Sequence, residues 1–222
     1  MPSLDPLYER LARLALATDD ELAVAGGNAM RLHDFVDRPT EDLDLFTSRM
    51  GGVPALTERV RAAFEAAELR VEEEGVSEHF ARLTVDGTDQ RQAIVELIAD
   101  PRTYPAVERH GLRVLDPREA ATNKLAALWT RAEPRDFVDV DAAVGRYGRA
   151  QLVAWLAERD PGFIPESLAA VMADVDRRRA EEFRVHGLDA RELAALRNRF
   201  RCWRQELLSS PDESIQGAPD TL

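Results

Sequence analysis

Lysine is almost missing from this chain. Of its 29 basic residues only Lys124 is lysine, and the other 28 are arginine. Such a bias reflects coding preference, under which a surface lysine is readily exchanged for arginine, so the lysine that remains invites a reason. Cysteine is as scarce. Cys202 stands alone in RFRCWRQ, which excludes an intramolecular disulfide framework and offers no neighbouring metal-ligand spacing; we read it as structural or incidental. No apolar run approaches the roughly 18–20 residues that a membrane helix needs. The opening MPSLDPLYERLARLAL lacks the charged, apolar and small-residue order of a secretory signal. These absences point to a cytoplasmic protein with no membrane partner. Excess positive charge is absent too. At a net charge of −12 the chain is no nonspecific coat for nucleic acid, which demands clustered Lys and Arg, although local RNA contact stays open.

What is present suits a soluble protein with a real core: 222 residues, 45% hydrophobic and 32% charged, enough for one large domain or two small ones. Leu7, Leu11 and Leu14 recur at helical spacing over residues 5–17. ELAVAGGNAMRLHDF then reads as a short apolar strand, a glycine turn and a helix starting near Asn28. A strand with two aspartates follows, then a helix over 54–68 with proline in its first turn. HFARLTVDG and RQAIVELIAD alternate apolar and polar residues around DGTD, a hairpin signal. From Pro117 the pattern is helical. PREAATNKLAALWTR, PRDFVDVDAAVGRY and RAQLVAWLAERD are separated by Glu133-Pro134 and by Gly145 to Gly148, and Pro161-Gly162 ends the third. A last helix over 189–208 puts Leu193, Leu196, Phe200, Trp203 and Leu207 on one stripe. The expected class is α+β, a mixed α/β core over 1–116 followed by a helical part over 117–208. Residues 209–222 have the composition of a disordered tail.

The stretch RPTEDLDLF, residues 38–46, carries the chemistry. Alternate positions of a strand share a face, so Asp42 and Asp44 project together while Leu43 and Leu45 point the other way. Two such carboxylates are either a solvated strand edge or a site for the metal ions that phosphoryl and nucleotidyl transfer require. Just upstream, Gly26 and Gly27 close a strand and open a helix. A glycine pair there is either a tight turn or a place where backbone amides approach a phosphate.

VAGGNAMRLH, then RPTEDLDLF, then REAATNKLAALWTRAEPRDFVDVDAA resembles the nucleotidyltransferase toxins of the AbiEii/AbiGii type, known from abortive-infection and toxin–antitoxin systems. Their glycine turn, Asp-x-Asp strand, helical lysine and Arg-Asp element all occur here in order, over about residues 22–145. The last of these is Arg135-Asp136-Phe137-Val138-Asp139. The resemblance implies a DNA polymerase β-type nucleotidyltransferase core that transfers a nucleoside monophosphate from an NTP to an acceptor. Asp42 and Asp44 would hold Mg²⁺, with Glu96 of AIVELIAD as a third carboxylate unless it is only the solvent-facing residue of an amphipathic strand. Gly26, Gly27, Arg38 and Lys124 would meet the nucleotide, joined by Asn28 where the wider superfamily often has Ser or Thr. Of Asp136 and Asp139, one would orient Lys124 or assist removal of the acceptor proton, while the helix dipole alone would also favour Asp136 in a first turn. Arg135 would touch phosphate or close a salt bridge. Thr40 either suits a strand entrance or, as in some relatives, is phosphorylated by a partner antitoxin.

The resemblance implies a tRNA acceptor, modified at its 3′ end so that translation stops. Arg177, Arg178 and Arg179, with Arg197, Arg201 and Arg204 on one side of the last helix, would offer an RNA face or, with Glu181, Glu182, Glu192 and Glu206 among them, a charge-balanced surface. Two alternatives remain: a nucleotidyltransferase for a small cationic molecule such as an aminoglycoside, which suits an acidic protein, and a non-catalytic nucleotide-binding module. A negative cleft would favour the first and a positive rim RNA.

Overall fold

Proline marks the first turn of five helices, where its missing N–H would have no partner in any case. The computed structural model describes residues 4–87 and 91–209. It runs α1 (Pro6–Leu16), β1 (Ala23–Val24), α2 (Gly26–Leu32), β2 (Asp42–Thr47) and α3 (Val53–Ala66). Five strands follow: β3 (Arg70–Val76), β4 (Phe80–Asp86), β5 (Gln92–Ala99), β6 (Val107–Arg109) and β7 (Leu112–Val114). The remainder is α4 (Pro117–Arg131), α5 (Pro134–Tyr147), α6 (Arg149–Arg159), α7 (Pro165–Met172), α8 (Asp174–Arg177), α9 (Ala180–Arg184) and α10 (Ala190–Ser209). Aspartate caps three of these helices. Asp189 caps α10, accepting from the Glu192 N–H at 2.8 Å. Asp5 accepts from the Leu7 N–H and Asp116 from the Arg118 N–H, both at 2.9 Å.

The described strands form one mixed sheet in the order β3-β4-β5-β2-β1-β7-β6. β2 runs parallel to β5 and β1 to β7, and the other pairs are antiparallel. Alternation decides the faces. Leu43 and Leu45 of β2, Leu83 and Val85 of β4, and Val95 and Leu97 of β5 are fully buried in a core that includes Leu11 of α1 and Val60 and Phe64 of α3. The intervening side chains stand on the opposite face, where register sets Asp44 beside Glu96 and Glu96 beside Arg82.

The helical part grows from the α4–α5 hairpin. Ala132 closes α4 in the left-handed region, at φ 48° and ψ 50°, and α5 starts two residues later. Arg131 braces the turn through a fork onto Asp136, with both bonds at 2.9 Å, and Asp136 also accepts from the Glu133 N–H at 3.2 Å. The stripe expected on the last helix packs inward: Leu193, Leu196, Phe200 and Trp203 are buried and Leu207 lies against them. Phe200 meets Phe137 of α5 edge-on at 5.1 Å between centroids, and Phe183 of α9 lies 6.3 Å from Phe137.

Three strands escape the sequence reading. β3 carries three consecutive glutamates and is mostly exposed, so it shows no alternation, and it ends the sheet with a register shift between Glu73 and Gly75; charge and a bulge are what protect a free edge. β6 and β7 have three residues each, too few for a pattern. The break expected over Gly145 to Gly148 falls at Gly148 alone, with φ +80°, and Gly145 lies inside α5. The expected DGTD turn falls partly on 88–90, and the expected tail on 210–222; both lie outside the described residues.

Because Phe137 is fully buried between two aromatic rings, Phe137→Ala should cost about 3–5 kcal/mol of stability. Thermal or denaturant unfolding will measure it, and a loss below about 1 kcal/mol would mean that α9 and α10 do not depend on this contact.

Candidate active site

The glycine turn and the aspartate strand are one steric unit. β1 and β2 pair side by side, and the Ala25 N–H donates to the Asp44 carbonyl at 2.9 Å. Gly26 follows at φ +56°, and a Cβ there would lie 1.6 Å from Asp44 Oδ2. The residue is glycine because the Asp44 carboxylate occupies the place of a side chain. At Gly27 a Cβ would come within 2.7 Å of Thr40 Cγ2 and 3.2 Å of Arg38 Nη2. The sequence reading left a tight turn or the approach of a phosphate as the reason for the pair. Packing of the Asp44, Thr40 and Arg38 side chains over the turn is sufficient by itself to require both glycines.

On the face of the sheet opposite its apolar core Asp42, Asp44 and Glu96 gather, each with one carboxylate oxygen within 4.8 Å of the others. Burial and then the Asp42 charge push the Asp44 carboxyl up to about 7; Lys124 and Arg135 oppose the shift and Glu96 adds to it. A donor set of carboxylate oxygens alone fits a hard divalent cation, and a cation at this point would relieve the like-charge crowding. Arg82 forks onto one oxygen of Glu96, with its Nε at 3.0 Å, so Glu96 is oriented by its neighbour on β4.

A cavity of about 400 Å³ opens over this cluster. Gly27, Arg38, Thr40, Lys124 and Arg135 contribute to its wall, together with Phe80, Arg82, Ile98, Arg131 and Glu133. Lys124, from α4, is nearly buried, and its Nζ lies 2.9 Å from Oδ2 of Asp139 on α5. The same carboxylate takes a fork from Arg38, at 2.8 Å to Oδ1 and 2.6 Å to Oδ2. Burial opposes charge on Asp139, but Lys124 and Arg38 overcome it and hold the carboxyl below its ordinary value. Arg135 pairs with Glu133 at 2.8 Å and reaches Asp42 at 3.6 Å.

The two aspartates of the Arg-Asp element therefore separate. Asp139 pairs with Lys124 and Arg38, whereas Asp136 is fully buried in the cap of α5 and pairs with Arg131; neither aspartate lines the cavity, and each stands behind cations that do. Asn28 is also engaged inside the protein: its amide nitrogen donates to the Asp42 carbonyl and its oxygen accepts from the Thr40 hydroxyl, both at 2.8 Å. It pins the start of β2. Arg38 reaches the cavity with most of its guanidinium committed to Asp139 and to the Pro39 carbonyl. Tyr8, not singled out from sequence, donates to the Glu41 carbonyl at 2.7 Å and ties α1 to the strand entrance. Burial and the nearby Asp42, Asp5 and Glu41 push its hydroxyl up to about 12.

The arginines offered as an RNA face are occupied. Arg201 forks onto Asp176, Arg177 pairs with Asp174 and Arg179 with Glu182. Arg178, Arg197 and Arg204 donate to carbonyls of neighbouring elements.

Fold and family agree on the class, a nucleotidyltransferase built on a mixed α/β core. A family model described as nucleotidyl transferase AbiEii toxin, type IV toxin–antitoxin system, matches residues 10–218, and the chain belongs to that family. Among solved structures it is similar to MenT4, a nucleotidyltransferase toxin of Mycobacterium tuberculosis, with a TM-score of 0.60 at 21% identity over 93% of this chain and 84% of that one. It is also similar to JHP933 of Helicobacter pylori, with a TM-score of 0.56 at 18% identity over 93% and 95% of the two chains. No curated protein sequence matches it. No described helix is long and apolar enough to cross a membrane.

Gly26→Ala tests the steric unit. Beyond the roughly 1–2 kcal/mol of a left-handed alanine, the new methyl must displace the Asp44 carboxylate. Divalent cations should raise the melting temperature of the wild-type protein and leave that of the variant unchanged; an equal rise in both would separate the turn from the carboxylate cluster.

Proposed function

We propose that this protein transfers a nucleoside monophosphate from an NTP to the 3′ end of tRNA in the cytoplasm, with Mg²⁺, so that translation stops. The supporting observation is the meeting of three carboxylates with Lys124 and Arg135 in one cavity. Asp42 and Asp44, with Glu96, would hold the ion. Bound there, Mg²⁺ would neutralise charge on the triphosphate and on the transition state. Lys124 would meet the phosphates as a compact charge, and Asp139 would hold its ammonium in place. Arg38 would position Asp139, Asn28 would steady the metal strand, and the first-turn amides after Gly26 would face the phosphates. In this division residues 1–116 supply the carboxylates and residues 117–208 the lysine with its aspartate.

Five cationic residues, Arg38, Arg82, Lys124, Arg131 and Arg135, line the cavity with four acidic ones, Asp42, Asp44, Glu96 and Glu133, while Asp136 and Asp139 pair with three of those cations from behind. The cleft is mixed in charge, so the preference for tRNA over an aminoglycoside rests on the family resemblance and not on the cavity's charge. A non-catalytic module would have no use for the complete set. Incubation of purified protein with total tRNA, Mg²⁺ and each labelled NTP in turn tests the reading. Label in RNA supports it, and label only in a small cationic acceptor overturns it.

Asp42→Asn and Asp44→Asn remove charge without creating a cavity, so each should lower transfer about 100-fold or more with an unchanged circular dichroism spectrum. Lys124→Arg should be strongly impaired as well, because a forked, planar guanidinium does not replace one ammonium aimed by Asp139. Wild-type turnover in any of the three would remove that residue from the mechanism.

Family membership implies an antitoxin, and Thr40 is where we place its control. The Thr40 side chain is half-buried, borders the cavity and donates to Asn28. Phosphorylation would remove that donor and set a charge of about −1.5 to −2 beside Asp42 and Asp44. Thr40→Glu should therefore weaken NTP binding and transfer far more than Thr40→Val; equal effects would reduce Thr40 to packing.

A further inference from the structure

Resting on the transfer reading above, we propose that Phe80 and Ile98 form a platform on which the terminal base of the RNA acceptor stacks. The cavity is asymmetric about its carboxylates. In the sheet order β4-β5-β2-β1, the glycine turn follows β1 on one side of β2, and Phe80 and Ile98 lie on β4 and β5 on the other. Gly27, Lys124 and Arg135 furnish the phosphate-binding end. In an in-line displacement the attacking and leaving oxygens lie on opposite sides of the phosphorus. Pyrophosphate leaving toward Lys124 thus requires the acceptor hydroxyl to arrive from the β5–β4 side.

What the acceptor meets there is apolar and flat. Register sets Phe80 opposite Ile98, one same-face step along from the Arg82–Glu96 pair, which is about 6.6 Å of strand. Phe80 is 37% exposed, unusual for a phenylalanine beside a charged cluster. Its backbone is fixed: the Phe80 N–H donates to the Ser77 hydroxyl at 3.1 Å, and its carbonyl accepts from the Ser77 N–H at 2.7 Å. The Arg82 guanidinium carbon lies 5.9 Å from the ring centroid. An exposed ring on a fixed backbone, next to a planar guanidinium, is a surface that unpaired bases stack on.

The test compares wild type, Phe80→Ala and Phe80→Tyr in the labelled-NTP assay, with KM measured separately for total tRNA and for the NTP. Because the ring is exposed, melting temperatures should agree within a few degrees. Phe80→Ala should raise KM for tRNA roughly tenfold or more and leave KM for the NTP within about twofold, and Phe80→Tyr should restore the wild-type value. A rise in KM for the NTP alone would assign the ring to the incoming nucleotide and overturn the proposal, as would no change in either. If wild-type protein labels no RNA, the transfer reading itself fails and the platform with it; if it labels RNA and Phe80→Ala does so with unchanged KM, only the platform fails.

Discussion

One buried carboxylate holds the two halves of the site in register. Asp139 has no solvent exposure and is held by Arg38 from the segment ahead of β2 and by Lys124 from α4. Removing a charge of this size from water costs several kcal/mol, recovered only when its partners sit at hydrogen-bond distance. The strand segment, α4 and α5 must therefore arrive together or leave Asp139 unpaired. This interaction contributes position more than stability. It fixes an ammonium opposite a carboxylate cluster that belongs to a different part of the chain.

Stability comes from elsewhere. The aromatic contacts of Phe137, Phe183 and Phe200 and the apolar side of the sheet supply the burial. The cavity side concentrates groups that oppose folding: crowded carboxylates, a left-handed glycine packed on one of them, and a left-handed Ala132 in the turn that delivers α5. Arg131 and Asp136 brace that turn, while Asp139, three residues later in the same Arg-Asp element, pairs with Lys124 and Arg38.

Much of this was legible in the residues. Period-two alternation put Asp42 and Asp44 on one face, and 3.6-residue periodicity gave α4, α5, α6 and α10 nearly to the residue. What sequence could not supply was register. Phe80, Arg82 and Glu96 share a face only because β4 and β5 pair Arg82 with Glu96, and alternation within each strand is silent on that offset. The choice between Asp136 and Asp139 was likewise open, because both lie on one helical face and only the tertiary placement of Arg131, Lys124 and Arg38 divides them. The partners of Arg197, Arg201 and Arg204 were hidden in the same way, because they lie 22, 25 and 35 residues away along the chain.

The scarcity of lysine gives the folded protein an unusual reactivity. Lys124 carries the chain's one side-chain amine, and it lies nearly buried in the wall of the cavity, paired to a carboxylate. Reagents that acylate amines, which decorate most proteins at dozens of places, have a single side-chain target here, and reaching it means entering the cavity. Lysine acylation of this chain is thereby a report on one address, and any occupant of the cavity shields it.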